Sequence, residues 1–500
     1  MSGDYSRKRF NPEKHYQGVL RQQGRVDLDA DWNEYVDLQD RRWRAETIDV
    51  VGRSGVPDET PDGFKIAVSG GELTVGQGRM YVDGYVAENH GTAPAFEPTL
   101  EEGYGTAALP VKNQPYGGPV TVPAQVRSLV YLDVWRREVT HLQAPDLIEP
   151  AVNVDSTTRY QTAWQVRVLA NIPPDITCDT PLSDIPGWPT GNRSSSARLT
   201  TTTVAVTTEP DPCLVPPTGG YRGLENHLYR VEGHSATTTT AKGKWSRENA
   251  HVATSLLEIL AGRTTVRVES LGRDDVLRIK TGDWVELTSD QREFAGLPGE
   301  MRKVTVDDAN QTLTFSPALP AADFPQGVVD AAKHVRVIRW DQSGIVRKPD
   351  GSQLINLDLT TDGLIELSAA NPSFVLELGV QATLTVLAGG TAHSGDYWCF
   401  AARTADADIE RLNQAPPLGI HHHHAHLAII EPNGEIHDCR TVFPPLTELT
   451  PGCCTVVVRP GEDIQAAIDS LPDEGGCVCL KVGDHEIQAP IRIEESHVAL

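Results

Sequence analysis

The chain has 500 residues, enough for roughly three or four domains. Its 44 Lys+Arg against 68 Asp+Glu leave a net charge of −24. That balance argues against non-specific binding to nucleic acid or anionic membrane, both of which need clustered basic surface.

No apolar run is long enough to span a membrane. The opening MSGDYSRKRFNPEKH has neither the apolar core nor the cleavage site of an export signal, so synthesis in the cytosol is expected. Abundant Gly and Pro, alternating with short Val/Ile/Leu/Thr-rich runs, predict a mainly β, multidomain chain with many turns.

The first element is different. GRVDLDADWNEYVDLQDRRWRAETIDVV predicts one helix from about Asp31 to Val50, with Asp29 or Asp31 as its cap. Trp32, Tyr35, Val36, Leu38, Trp43 and Ile48 make its apolar stripe. The period then changes to two. FKIAVSGGELTVGQGRMYVDGYVAEN reads as three short strands joined by Gly turns. SLVYLDVWRREVTHL and TAWQVRVLANI are further strands. Residues 173–220, rich in Pro, Ser and Thr, are a long loop or strands with a Thr face. GLENHLYRVEGH returns to strand.

Residues 250–340 read as a small β-barrel or sandwich inserted into a larger β domain made of 61–249 and 341–450. Residues 1–60 form an N-terminal arm and helix. From 451 to 500 the pattern is strand, short helix, strand and strand, with Ile464, Ala467, Ile468 and Leu471 on the helix's apolar face. The short strands separated by turns read as a coiled parallel sheet, of the kind a parallel β-helix has. An open edge at Leu500 calls for further sequence or for partner chains to cover it.

The eight cysteines include an adjacent pair, Cys453 and Cys454, and a CxC, Cys477 and Cys479. Either could be half of a zinc site, but neither has a second pair at metal spacing. In a reducing compartment the expectation is buried, apolar-like thiols without a disulfide framework.

GIHHHHAHLAII (419–430) is internal and runs into apolar sequence, unlike an appended affinity tag. As a strand it puts His422, His424 and His426 on one face, and His421, His423, Ala425, Leu427 and Ile429 on the other. In a three-fold assembly, one HxH per chain would surround an axial transition-metal ion. The alternative is a histidine-rich strand whose rings stack or hydrogen-bond at a domain boundary.

No P-loop, dinucleotide fingerprint, nucleophile elbow or HExxH is present. Asp27, Asp29 and Asp31 resemble the opening of a calcium loop, but Trp32 and Leu38 stand where that loop needs Gly and Glu. Helix capping with a loop hydrogen-bond network fits these residues better. The carboxylate pairs Asp473/Glu474 and Glu494/Glu495 carry little weight in so acidic a chain.

MSGDYSRKRFNPEKHYQGVLRQQGRVDLDADWNE resembles the start of DUF6519-type proteins, found among the genes of phage-tail-like contractile injection systems near baseplate genes. YVDGYVAEN, VYLDVWRREVT, WQVRVL, YRGLENHLYRVE, KWSREN, GDYW with ART, and GIHHHHAHLA also resemble that family, over roughly residues 1–430. One departure is local. The family pattern has two histidines and then an aromatic; His422 and His423 match it, whereas His424 and His426 look like additions in this chain. Residues 452–500 are similar to the N-terminal cap and first coil of right-handed parallel β-helices of the pectate-lyase-like and tailspike kind.

The resemblance implies a structural, non-enzymatic baseplate component, fibre-like or tailspike-like and homotrimeric, in a particle assembled in the cytosol. The N-terminus would dock on baseplate subunits through Arg21, Gln22, Gln23, Arg25, Trp32 and Asn33. Core packing is the competing role for Trp32. The β-helix would project toward a cell-surface glycan or receptor. The alternative is a polysaccharide-degrading tailspike whose catalytic coils lie beyond residue 500.

Overall fold

The computed structural model describes residues 3–69, 72–92, 107–118, 120–203, 220–236, 240–445, 454–472, 475–480, 483, 485, 487, 490–493 and 498–499. Cys453, Asp473, Glu474, Glu494, Glu495, Leu500 and most of the Thr-rich stretch after Thr203 lie outside the described residues. The chain is mainly β and forms two compact units, Met1–Gly55 with Asp62–Arg440, and Val56–Pro61 with Thr441–Leu500.

In the first unit the apolar alternation of SLVYLDVWRREV becomes strand Ser128–Val139. It pairs antiparallel with Arg159–Ala170 on one side and with the histidine strand His422–Ile430 on the other. A second sheet runs Ile365–Ser368, Thr240–Ser246, His227–Ala236, Tyr397–Arg403, Asp408–Ile409. It shares one core with the three-stranded sheet of Ala197–Thr203, Val380–Val386 and Ser373–Val375. Tyr229 and Phe400 stack there, ring centroids 5.5 Å apart, among Trp245, Phe374 and Trp398. The strands from Ala253–Ile259 to Arg336–Trp340 make an eight-stranded sheet around a core of its own, which includes Val266, Leu287, Leu313 and Val337.

That insert is joined to its neighbours by buried charge. Arg137 of Ser128–Val139 donates to Asp290 Oδ2 at 3.0 Å, and Arg336 donates to Asp290 Oδ1 at 2.7 Å. Lys244 of Thr240–Ser246 reaches Glu286 of Trp284–Thr288, and its Nζ lies 3.1 Å from Glu232 Oε1. Trp340 Nε1 and the Gly299 amide complete the Glu286 carboxylate at 3.0 Å each.

Several expectations are corrected. Residues 64–89 form four strands, because Asp83-Gly84 is a tight hairpin turn with both residues at positive φ. The helix runs Asp29–Val51, with Leu28 as N-cap and no side-chain cap. Asp29 and Asp31 hold the N-terminal arm instead. Of the stripe residues named above only Leu38 is buried; Trp32, Tyr35 and Trp43 are exposed.

The cysteines depart furthest from expectation. Cys178 and Cys439, 261 residues apart, form a disulfide, as do Cys454 and Cys479. Spacing along the chain does not carry such a long-range approach. Cys399 is buried, as expected of a thiol, and its sulfur meets Asn249 Oδ1 at 3.2 Å.

The second unit has parallel strands Val456–Val458, Gly476–Leu480 and Val498–Ala499. Asp463 caps helix Ile464–Asp469 by accepting from the Gln465 and Ala466 amides. Ile464, Ala467, Ile468 and Leu471 bury against Val458 and Val478, the face read from the sequence.

Removing one partner of a buried charge pair leaves the other uncompensated, at about 3–5 kcal/mol. Lys244→Ala should therefore lower the unfolding free energy by that amount, seen as a depressed first thermal transition. Lys303→Ala, at the exposed pair with Asp358, should change it by less than about 1 kcal/mol.

Candidate functional site

The N-terminal arm is strapped across the first unit. The Asn249 side chain donates to the Gly3 carbonyl at 2.9 Å, and Tyr5 Oη lies 2.6 Å from Thr158 Oγ1. A Cβ on residue 3 would meet Thr158 and the Tyr5 ring at 2.8 Å, so glycine is required for the approach. Asp29 accepts from the Ser6 amide at 2.8 Å and from its hydroxyl at 2.6 Å. Asp31 pairs with Arg9, and Arg403 donates to the Ser6 carbonyl at 2.6 Å. The three aspartates that mimic a calcium loop thus include two that fasten the arm.

The helix docks through its polar side. Arg136 Nη1 lies 2.9 Å from Asp40 Oδ2, and Arg136 Nη2 lies 3.8 Å from Asp37 Oδ1. The Arg44 guanidinium stands 4.0 Å from the Tyr85 ring centroid. Gly84 lets the hairpin tip come this close, since a Cβ there would sit 2.7 Å from the Arg44 carbonyl. Burial lifts the Asp37 carboxyl above its usual range, despite Lys8 and Arg136.

At about 100° per residue, Trp32, Trp43 and Val50 fall within about 20° of one another, and Tyr35 within about 60–80° of them. That face lies roughly 60–140° from Asp37, Asp40 and Arg44. Trp32 is 62% exposed, Trp43 65%, and Tyr35 40%. The preceding segment adds Leu20 at 92% and Val26 at 83%. Arg21, Gln22, Gln23 and Arg25 are exposed around a turn in that segment, where the Arg25 amide donates to the Gln22 carbonyl at 3.3 Å. Asn33 is half-buried. The structure therefore keeps Trp32 on one face with Tyr35 and Trp43, as the stripe read from the sequence has it, but turns these aromatics to solvent rather than into the core.

Under the arm lies a cleft of about 1240 Å³, lined by residues 7–14 of the arm and by strands of both sheet systems. Its floor is a chain of alternating charges, Arg230, Glu232, Lys244 and Glu286, with Arg230 stacked 3.8 Å from the Tyr397 ring centroid. Burial alone would raise the Glu232 carboxyl, but Lys244 and Arg230 outweigh it and hold it at about 2. His234 lies 3.8 Å from Glu286, and burial followed by Lys244 pushes its pKa down to about 4. None of these floor residues was singled out from the sequence. The available signal was charge at strand positions, in YRVEGH and KGKW.

The histidine strand keeps His422, His424 and His426 on one face, opposite Trp135, Asp133 and Tyr131. A bulge after His426 then reverses the alternation. Ile429 packs with Leu129 and Tyr131 on the histidine face, a correction to the unbroken period of two. His422 Nδ1 lies 2.7 Å from Asp133 Oδ1, His424 Nε2 3.4 Å from the same oxygen, and Arg167 Nε 2.9 Å from Oδ2. Burial would raise the Asp133 carboxyl, but these three neighbours keep it below its ordinary range. The His422 and His424 rings stack at 6.3 Å, and His426 stands beside Asp179 and Thr180. On the other face His423 Nδ1 is 3.0 Å from Asp83 Oδ2. Among the described residues, with Cys454 and Cys479 joined as a disulfide, no group of three or more His, Cys, Asp or Glu is arranged to hold a metal ion. Among them, too, no helix is long and apolar enough to cross a membrane.

Strapped arm, outward aromatic face and charged cleft together define a mainly β, multi-sheet protein with an unusual N-terminal surface. Residues 1–177 and 192–458 match the model of a family of unknown function, DUF6519, and the chain belongs to that family. No curated protein and no solved structure matches it.

Two outcomes are expected. Replacing Asp29 and Asp31 together by Ala should free the arm, raising the rate of tryptic cleavage at Arg7, Lys8 and Arg9 with the folded core intact. Between about pH 6.5 and 4, His234 of the unfolded chain takes up a proton that the folded chain refuses. Stability should fall as pH drops through that window, by about 1–3 kcal/mol for this group. His234→Gln should flatten that part of the stability–pH profile.

Proposed function

We propose that this protein is a structural, non-enzymatic component of a contractile injection particle, docked on baseplate subunits by its N-terminal segment. The observation that carries this reading is the orientation of helix Asp29–Val51. Its charged side is fixed to its own fold, while Trp32, Tyr35 and Trp43 face solvent, as do Leu20 and Val26 of the preceding segment. Monomeric proteins rarely expose aromatic surface of this kind without a partner for it. Trp and Tyr are also the side chains that dominate interface energetics, at about 2 kcal/mol or more each. Arg21, Gln22, Gln23 and Arg25 supply a polar rim.

The sheets of the first unit give the protein its rigid core, and the parallel, β-helix-like coil of the second meets a cell-surface glycan or receptor. A homotrimer fits this arrangement, because a three-fold axis lets strand edges cover one another.

The test is the protein composition of sedimented particles from the producing cells, with the gene intact and deleted. The expected result is co-sedimentation at a fixed ratio to baseplate subunits, in a multiple of three. Trp32→Ala should weaken attachment by about 30-fold or more while leaving the melting temperature unchanged. Particles that form normally without the protein, while it stays in the soluble fraction, would overturn the reading.

A further inference from the structure

Three sulfurs meet on the solvent side of the second unit. Cys477 and Cys479 are two apart on strand Gly476–Leu480, so their side chains share a face, and their Sγ atoms lie 3.9 Å apart. Val478 between them points the other way, into the core with Val458 and Ile468. Cys454 approaches from the start of the neighbouring parallel strand, its Cα 5.3 Å from that of Cys479, and the two are joined as a disulfide. All three cysteines are partly exposed.

The backbone holds this arrangement without help from the sulfur bond. The Thr455 amide donates to the Cys477 carbonyl at 2.7 Å, and the Cys477 amide donates to Thr455 Oγ1 at 3.1 Å. The register continues through Val456 opposite Val478, over the core of Ile464, Ile468 and Leu471. Opening the disulfide therefore leaves the three sulfurs side by side.

We propose that the reduced form of this cap is a zinc site, with the thiolates of Cys454, Cys477 and Cys479 as ligands. Tetrahedral zinc has Zn–S distances of about 2.3 Å, which put neighbouring sulfurs about 3.8 Å apart. The Cys477–Cys479 separation of 3.9 Å is already close to this value. The Cys454 sulfur must draw back from Cys479 to complete the triangle, and a water takes the fourth tetrahedral position. Thiolates select a soft or borderline cation, so Zn²⁺ is favoured over Mg²⁺ or Ca²⁺. The exchange balances. A dithiol of the reducing compartment gives two electrons and two protons to the Cys454–Cys479 bond and leaves as its own disulfide. Each sulfur then releases its proton as it binds the metal. The same cysteines thus clamp the coil in either environment, by metal when reduced and by a covalent bond when oxidised.

The test uses the full chain, fully reduced with a phosphine and kept anaerobic, titrated with Co²⁺ and then Zn²⁺. The expected result is a thiolate-to-cobalt charge-transfer band that saturates at one equivalent and is bleached by Zn²⁺. The oxidised chain should not show the band, although it keeps every histidine of the 421–426 run. Cys477→Ser should weaken Zn²⁺ by more than the roughly 10–100-fold that loss of a supporting partner costs. That variant retains the Cys454–Cys479 bond, so its oxidised form serves as the folding control by thermal unfolding. A reduced chain without the thiolate band, or a Cys477→Ser variant that binds Zn²⁺ as tightly as the parent, would overturn the site.

Discussion

The first unit depends on charges taken out of water where its sheets meet. Asp290 receives Arg137 from one sheet and Arg336 from the insert, and Lys244 spans Glu232 and Glu286 across another junction. Isolated, each of these charges would be strongly unfavourable in the interior. Together they are directional, since each carboxylate oxygen has a named donor. Apolar contact would tolerate sliding of the insert on the body; these pairs fix one orientation. The arm, the cleft beneath it and the helix above all take their positions from strands locked in this way.

Much of the architecture was legible because period-two alternation is a local property. Strand Ser128–Val139, the coil helix Ile464–Asp469 and the histidine strand were read close to their observed limits. What escaped was non-local or set by a single residue. The Asp83-Gly84 turn was hidden inside a run of alternating residues, although its dipeptide is a known hairpin signal. The bulge after His426 changes which side Ile429 faces, and nothing in LAII marks it. The pairing of Cys178 with Cys439 depends on a loop and a strand end brought together by the whole sheet.

The candidate site shows the same limit more sharply. The periodicity of Trp32, Tyr35 and Trp43 shows that a stripe exists, but not whether the chain's own fold covers it. The usual assumption, apolar side inward, fails here: Asp37 and Asp40 turn to Arg136 of the sheet, and the aromatics turn to solvent. Likewise Arg230, Glu232, Lys244 and Glu286 come from three separate stretches, and only folding lines them up along one cleft.

The inverted helix has a consequence for how the protein responds to its solvent. Its attachment to the body rests on partly exposed ion pairs and a cation–π contact, which dissolved salt screens within a Debye length of about 8–10 Å. Its outer face is apolar, and strongly hydrated salts such as sulfate drive such surfaces together. One helix therefore carries two contacts of opposite ionic character on its two sides. Dilute buffer tightens its hold on its own chain, and concentrated sulfate favours whatever meets its aromatic side.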